Sequence, residues 1–279
     1  QEIAWEVIDT SASLQALVEK LEAADLISVD TETTSTDQML ADLVGISLAV
    51  SPERGYYIPV GHQADMGQQL PLEDVMAALR KPLSDPHRPK IGHNLKYDII
   101  VLARHGLQVA PLSFDTMLAE WLINPISRNL GLKNLAWVRL NLQMTNIEEL
   151  IGSGKNQRSM AQVPIQAAAA YAAADAVAVL RLMPILRELL NSSQAWQLFE
   201  TIEMPLISVL AEMEMAGISL DLTFLSRMAA ELNSRIGEIE QQIYSAIGMP
   251  INLNSTQQLS QALFNRLKLP LPDRTQRTE

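Results

Sequence analysis

Along the first hundred residues the apolar positions switch between two periods. IAWEVI (3–8) and LISVDTET (26–33) are short β-branched runs of strand character, and between them Leu14 to Ala24 places its apolar residues at helical spacing. DLVGISLAV (42–50) and GYYIPV (55–60) read as two neighbouring strands joined by a Ser-Pro-Glu-Arg-Gly turn. PLEDVMAALRKPL (71–83) is helical in pattern. After a Pro-rich loop, PKIGHN (89–94) gives one more short strand, which runs into the helical LKYDIIVLARHG (95–106). From there the pattern predicts almost nothing but helix, in segments around Thr116 to Ile123, Leu132 to Leu140 and Gln166 to Leu190. The fold class that follows is α/β, a mixed sheet covered by helices.

Asn-Ser-Ser-Gln at 191–194 interrupts the helical pattern and marks a domain boundary, giving an α/β domain over 1–190 and a helical segment over 191–279. In the latter, IEMPLISVLAEMEMAG (202–217), ISLDL and a long helix from Phe224 to Ile247 do not repeat the first part. The Pro-bearing tail LKLPLPDRTQRTE (267–279) reads as a cut in a linker. The alanine-rich AAAAYAAADAVAV (167–179) is the one biased stretch, and helix propensity with close packing accounts for its alanines. It does not account for Tyr171 and Asp175, four apart among them.

Composition narrows the chemistry. The chain of 279 residues has no cysteine, so a disulfide framework and a thiolate metal site are both excluded, and any metal must take oxygen or imidazole ligands. The four histidines, His62, His87, His93 and His105, have no zinc-type spacing. No basic leader and no run of eighteen apolar residues is present, so the expectation is a soluble, cytoplasmic protein without a membrane partner. A formal charge of −11 argues against gripping a nucleic-acid backbone by bulk electrostatics. An acidic chain still suits a nucleic-acid enzyme if its carboxylates hold divalent cations that in turn receive the phosphates.

Three short patterns carry such carboxylates. Asp30 and Glu32 end an apolar strand, and positions i and i+2 of a strand project to one face. Asp98 lies in the first helical turn after Asn94 and Lys96, where an acid also interacts well with the helix dipole. Tyr171 and Asp175, at i and i+4, share one face of a helix. Solvated acids and a partly buried tyrosine explain each piece taken alone.

The ordered set D-x-E, N-x-x-x-D, Y-x-x-x-D resembles the three exonuclease motifs of the proofreading domain of family A DNA polymerases, in the tyrosine-bearing branch of the DEDD superfamily. The resemblance continues through YYIPVGH, IGHNLKYD, FDTMLAEWLINP, GSGKNQ and IEMPLISVLAEME. MPLISVLAEMEMAGISLD and INLNSTQQLSQALFNRL are similar to the opening of the polymerase domain, at the start of its thumb, while palm and fingers have no counterpart here.

The resemblance implies a ribonuclease H-like exonuclease fold and a 3′→5′ hydrolase of DNA ends that uses two divalent cations, Mg2+ or Mn2+. Asp30, Glu32 and Asp175 would bind the first ion, Asp30 would bridge to the second, and Asp98 would help hold it through water. Tyr171 would orient the attacking water. Thr31, His93, Asn94 and Lys96, with Lys155, Asn156 and Gln157 on a second polar loop, would contact the strand. Thr36 stands where relatives carry a wedging leucine, and Met160 where they carry a stacking ring. Both changes imply a weaker hold on single strands, since stacking contributes about 1–3 kcal/mol per base. The implied partners are a single-stranded 3′ end or frayed primer terminus and, in a parent chain, the polymerase palm and fingers, with the protein a monomer. An RNA-trimming enzyme of the ribonuclease D type would use the same carboxylates without the segment from Met204 onward. A bracing module that had lost catalysis would lack the acids.

Overall fold

The computed structural model describes residues 3–270, and its alternating first part forms a single six-stranded sheet. The strands are β1 Ala4–Val7, β2 Ile27–Thr33, β3 Leu43–Ser51, β4 Arg54–Pro59, β5 Lys90–Gly92 and β6 Leu112–Asp115, in the order β1-β4-β3-β2-β5-β6. The centre, β2 to β4, is antiparallel, because the Ser-Pro-Glu-Arg-Gly turn brings β4 straight back on β3. β1, β5 and β6 join in parallel through helical crossovers. The α/β class and the ribonuclease H-like arrangement are those expected. β6 corrects the expectation of almost entirely helical structure after residue 106: four residues are too few to show alternation, and they become a strand because β5 offers them an edge.

Helices cover both faces. α1 Ser11–Ala23, held at its start by reciprocal hydrogen bonds between Thr10 and Ser13, and α2 Leu72–Ser84 turn Leu14, Leu17, Leu21, Val75 and Leu79 onto Ile27, Val29, Ile46 and Leu48. α3 Leu95–Arg104 follows β5 directly. On the other face, α4 Thr116–Ile123, α5 Leu132–Leu140 and the short α6 Ile147–Ile151 flank α7 Ile165–Ser192. There Phe114, Leu135, Ala178, Leu182 and Leu186 share a second core. A single turn, α8 Trp196–Leu198, passes through a π-helical stretch Phe199–Glu203 into α9 Met204–Ala216.

The alanines of α7 have a structural reason beyond propensity. Ala168, Ala169, Ala172, Ala173 and Ala176 are all fully buried against the sheet, and opposite them β4 carries Gly55, where an added Cβ would lie 2.5 Å from the Ala173 carbonyl oxygen. α7 is long and apolar enough to cross a membrane by length and composition, but its burial along the sheet makes it a core helix.

The first compact unit runs to Gly217, so it includes α8 and α9; a second begins at Ile218. The second unit holds α10 Leu222–Ile247, started by the Asp221 carboxylate accepting from the Phe224 N–H and ended by Gly248 in the left-handed conformation at φ 78°. α11 Thr256–Ser260 follows it. The linker-like tail, from residue 271 on, lies outside the described residues.

The closeness of α7 to β4 is testable. Gly55→Val should overpack this contact and destabilise the fold by about 1–3 kcal/mol in urea denaturation, with loss of any activity that depends on Asp175. An unchanged midpoint would show that α7 can stand off from the sheet.

Candidate active site

Register decides which β2 side chains meet α7. Ile27 and Val29 enter the α1–α2 core, so Asp30 and Glu32 project to the opposite face, toward α7. Asp30 pairs with Ser47 across β3 and Glu32 with Gly45. The Ser47 hydroxyl donates to Asp30 Oδ2 at 3.1 Å. At Gly45 a Cβ would lie 2.2 Å from the Tyr57 hydroxyl, so only glycine leaves room for that ring beside Glu32. His62 fixes the ring from behind: its Nδ1–H donates to the Val163 carbonyl at 3.0 Å, and its Nε2 accepts from Tyr57 at 2.7 Å.

α7 then supplies Asp175, and ligand oxygens of Asp30, Glu32 and Asp175 all lie within 4.8 Å of one another. Asp98 stands beside this trio rather than in it, accepting a 2.6 Å hydrogen bond from the Thr31 hydroxyl. Burial raises the pKa of all four acids, and the charge of a neighbouring acid adds to it for Asp30, Glu32 and Asp98. Asp30 is pushed up to about 7 by burial first and Asp175 second, against the opposing influence of Lys133 and Ser47. Tyr171 is raised by burial and then by Asp175, Glu32 and Asp30, so it remains a protonated phenol. An oxygen-only donor set whose members repel one another in this way fits a divalent cation of the magnesium or manganese kind.

A cavity of about 740 Å3 opens beside the trio, with Glu32 in its wall. Of the strand-contacting residues expected from sequence, Thr31, Thr36, Asn94, Gln157 and Met160 line it, together with Glu32 and Tyr171. Thr36 is exposed and Met160 buried at 4%. Three others do not line it. His93 is turned to the Thr116 hydroxyl at 2.9 Å, and burial lowers its pKa to about 4. Lys96 is ion-paired with Glu214 of α9, which also accepts from the Gln38 amide at 2.6 Å. Lys155 is exposed on its loop, and the side chain of Asn156 lies outside the described residues.

Four residues of the site were not anticipated. Tyr97 and Arg158 also line the cavity, and the Tyr97 hydroxyl bonds to Thr33 and to the Ser35 carbonyl. Tyr97 sits in the quoted LKYD pattern, next to Asp98, and could have been picked from it. Lys133 of α5 pairs with Asp175 and lies with its Nζ 3.9 Å from the centroid of the Tyr171 ring. Nothing in the α5 sequence marks it. The buried Asp115 accepts four backbone N–H bonds, from Asn94 at 3.2 Å, Leu95 at 2.7 Å, Met117 at 2.8 Å and Leu118 at 3.2 Å. One carboxylate thus caps α3 and α4 together, with Asn94 left-handed at φ 60°, and sets where Asp98 starts its helix.

A family model described as 3′-5′ exonuclease matches residues 5–191. DNA polymerase I of Chloroflexus aurantiacus is 42% identical over 264 residues, covering 94% of this chain and 28% of that protein. DNA polymerase I of Pseudomonas aeruginosa is 34% identical over 278 residues, covering 98% of this chain and 30% of that protein. The chain therefore spans under a third of the length of these curated relatives. Among solved structures, the POL domain of Pol1 from M. smegmatis, in complex with DNA primer-template and dNTP, gives a TM-score of 0.71 at 27% identity over 95% of this chain and 41% of that one. Brucella melitensis NrnC with bound Mg2+ gives 0.57 at 20% identity over 80% of this chain and 98% of that one, a likeness of fold.

Two outcomes are expected of the site. Asp115→Asn should cost about 1.5–3 kcal/mol, read by denaturant unfolding, because an amide cannot accept four N–H donors as a carboxylate does. Asp30 holds its proton to about pH 7 in the fold against 3.8 ordinarily. The folded chain therefore binds more protons than the unfolded one across that window, and metal-free stability falls as pH rises through it. Cation binding needs the ionised acids and should strengthen over the same window. Melting in chelator and Mn2+ calorimetry, each at about pH 5 and about pH 8, check both signs; a higher melting point at the upper pH would contradict them.

Proposed function

This chain belongs to the 3′-5′ exonuclease family of the family A DNA polymerases, and on that premise we propose that it is a metal-dependent enzyme that removes nucleotides from DNA 3′ ends. The observation that carries the reading is the convergence of Asp30, Glu32 and Asp175, with Tyr171 one helical turn from Asp175, where Glu32 and Tyr171 line the 740 Å3 cavity. Asp30, Glu32 and Asp175 would hold one divalent ion, Mg2+ or Mn2+, with Asp30 shared toward a second that Asp98 helps to hold through water. Such ions acidify a water and neutralise the charge that builds on the phosphate.

The chain's own groups do the rest. Tyr171 donates a hydrogen bond that orients the attacking water; burial and the nearby carboxylates keep its proton on, so it is not the base. Asn94, Gln157, Thr31, Thr36 and Met160 bound the space for the terminal nucleotides, with Tyr97 as an aromatic wall. Lys155 would contact the strand further out, and Lys96 would do so only by leaving Glu214. His93 holds Thr116 and takes no part in proton transfer.

In a parent polymerase this domain would edit a primer terminus in the cytoplasm. A mismatched end unpairs at lower cost and so reaches the nuclease more often. The segment after residue 190 would be the beginning of the thumb, leading to palm and fingers, and the chain would act as a monomer. Trimming of RNA by the same carboxylates is the second reading. It is disfavoured because similarity to DNA polymerase I extends through the segment that begins at Met204.

Incubation of the protein with a 5′-labelled single-stranded DNA should give stepwise shortening with Mg2+ or Mn2+ and none with chelator. Asp30→Ala with Glu32→Ala should reduce shortening to the chelated level while circular dichroism stays native. Equal activity in the double variant would remove these residues from the metal site, and preference for a matching RNA would favour the second reading.

A further inference from the structure

Lys133 enters the site from α5 and touches both functional residues of α7. Its ammonium is ion-paired with Asp175 Oδ1, and its Nζ lies 3.9 Å from the centroid of the Tyr171 ring. Its side chain is 22% exposed and that of Asp175 9%, so little water screens the pair. Among the described residues it is the one basic side chain ion-paired with any of the four site acids. The carboxylate it pairs with belongs to the trio that converges within 4.8 Å. An ammonium and a divalent ion cannot share this space without strong repulsion.

We propose that Lys133 is a built-in counter-cation: it neutralises the carboxylate cluster before metal arrives, must give up Asp175 when the ion binds, and thereby sets the metal affinity of the site. This rests on the metal-dependent reading above. Lys133 also lines a separate groove of about 460 Å3 with Asn134, Trp137, Asn146 and Glu149, whose amides and carboxylate offer polar partners to a displaced ammonium. Lys133 is a positioning residue. By holding Asp175 and the Tyr171 ring one turn apart on α7, it keeps both aimed at the cluster while no ion is bound.

The test compares Lys133→Met, which keeps the stem and removes the charge, with Lys133→Arg, which keeps the charge, in the full chain at a pH near 8. Mn2+ calorimetry should show the first ion binding about tenfold or more tightly to K133M than to wild type, the scale of removing one charge beside a divalent site, while K133R stays near wild type. K133M should melt below wild type in chelator, and the gap should close in saturating Mg2+. Lys133→Gln repeats the comparison should the methionine variant not fold. Unchanged or weaker Mn2+ binding by the uncharged variants, or a melting deficit equal with and without metal, overturns the proposal and leaves the nuclease reading standing. Absence of Mn2+ binding by wild type overturns both.

Discussion

Carboxylates held out of water a few ångströms apart cannot all carry charge unless something positive joins them. Asp30, Glu32, Asp98 and Asp175 are in that position, and much of the surrounding fold exists to keep them there. β2 contributes two acids from one face because positions i and i+2 of a strand point the same way, and its pairing with β3 keeps Asp30 and Glu32 in register ahead of the bulge at Thr33. α7 brings the third close only because its sheet-facing side is almost all alanine and β4 meets it with a glycine. α3 brings the fourth from a start nailed by Asp115. Each element is ordinary; their shared task is to oppose a repulsion that would otherwise spread them.

Protein groups relieve part of this repulsion without removing it. Ser47 and Lys133 lower the cost of charging Asp30, and Thr31 does the same for Asp98, yet burial still leaves these acids with raised pKa values. A site balanced in this manner has strong reason to take up a divalent ion and is poorly suited to bind an anion unaided, which reconciles a chain of charge −11 with the nucleic-acid substrate proposed for it.

Legibility from sequence followed range of interaction. Strands β1 to β5 and helices α1 to α5 were readable because period and turn residues are local signals, and the acids were readable because D-x-E and Y-x-x-x-D encode shared faces of single elements. β6 was not, since four residues become a strand only when a neighbour's edge is present. Lys133 and Asp115 act across elements: one reaches from α5 to α7, the other bonds two helix starts at once, and no spacing within their own segments announces either. Thr36, Met160 and Tyr171 line the cavity and were legible from the motifs, whereas Tyr97, the other aromatic residue of that wall, went unmarked although it adjoins Asp98.

Glu214 gives the chain a property of another kind. From α9 it clasps Lys96 at the head of α3 and Gln38 in the loop that leaves β2, although the match to the nuclease family ends at residue 191. The boundary of the nuclease-family match and the boundary of the compact unit thus differ. A module cut at the former would lose this clasp, whereas one closed at Gly217 keeps it.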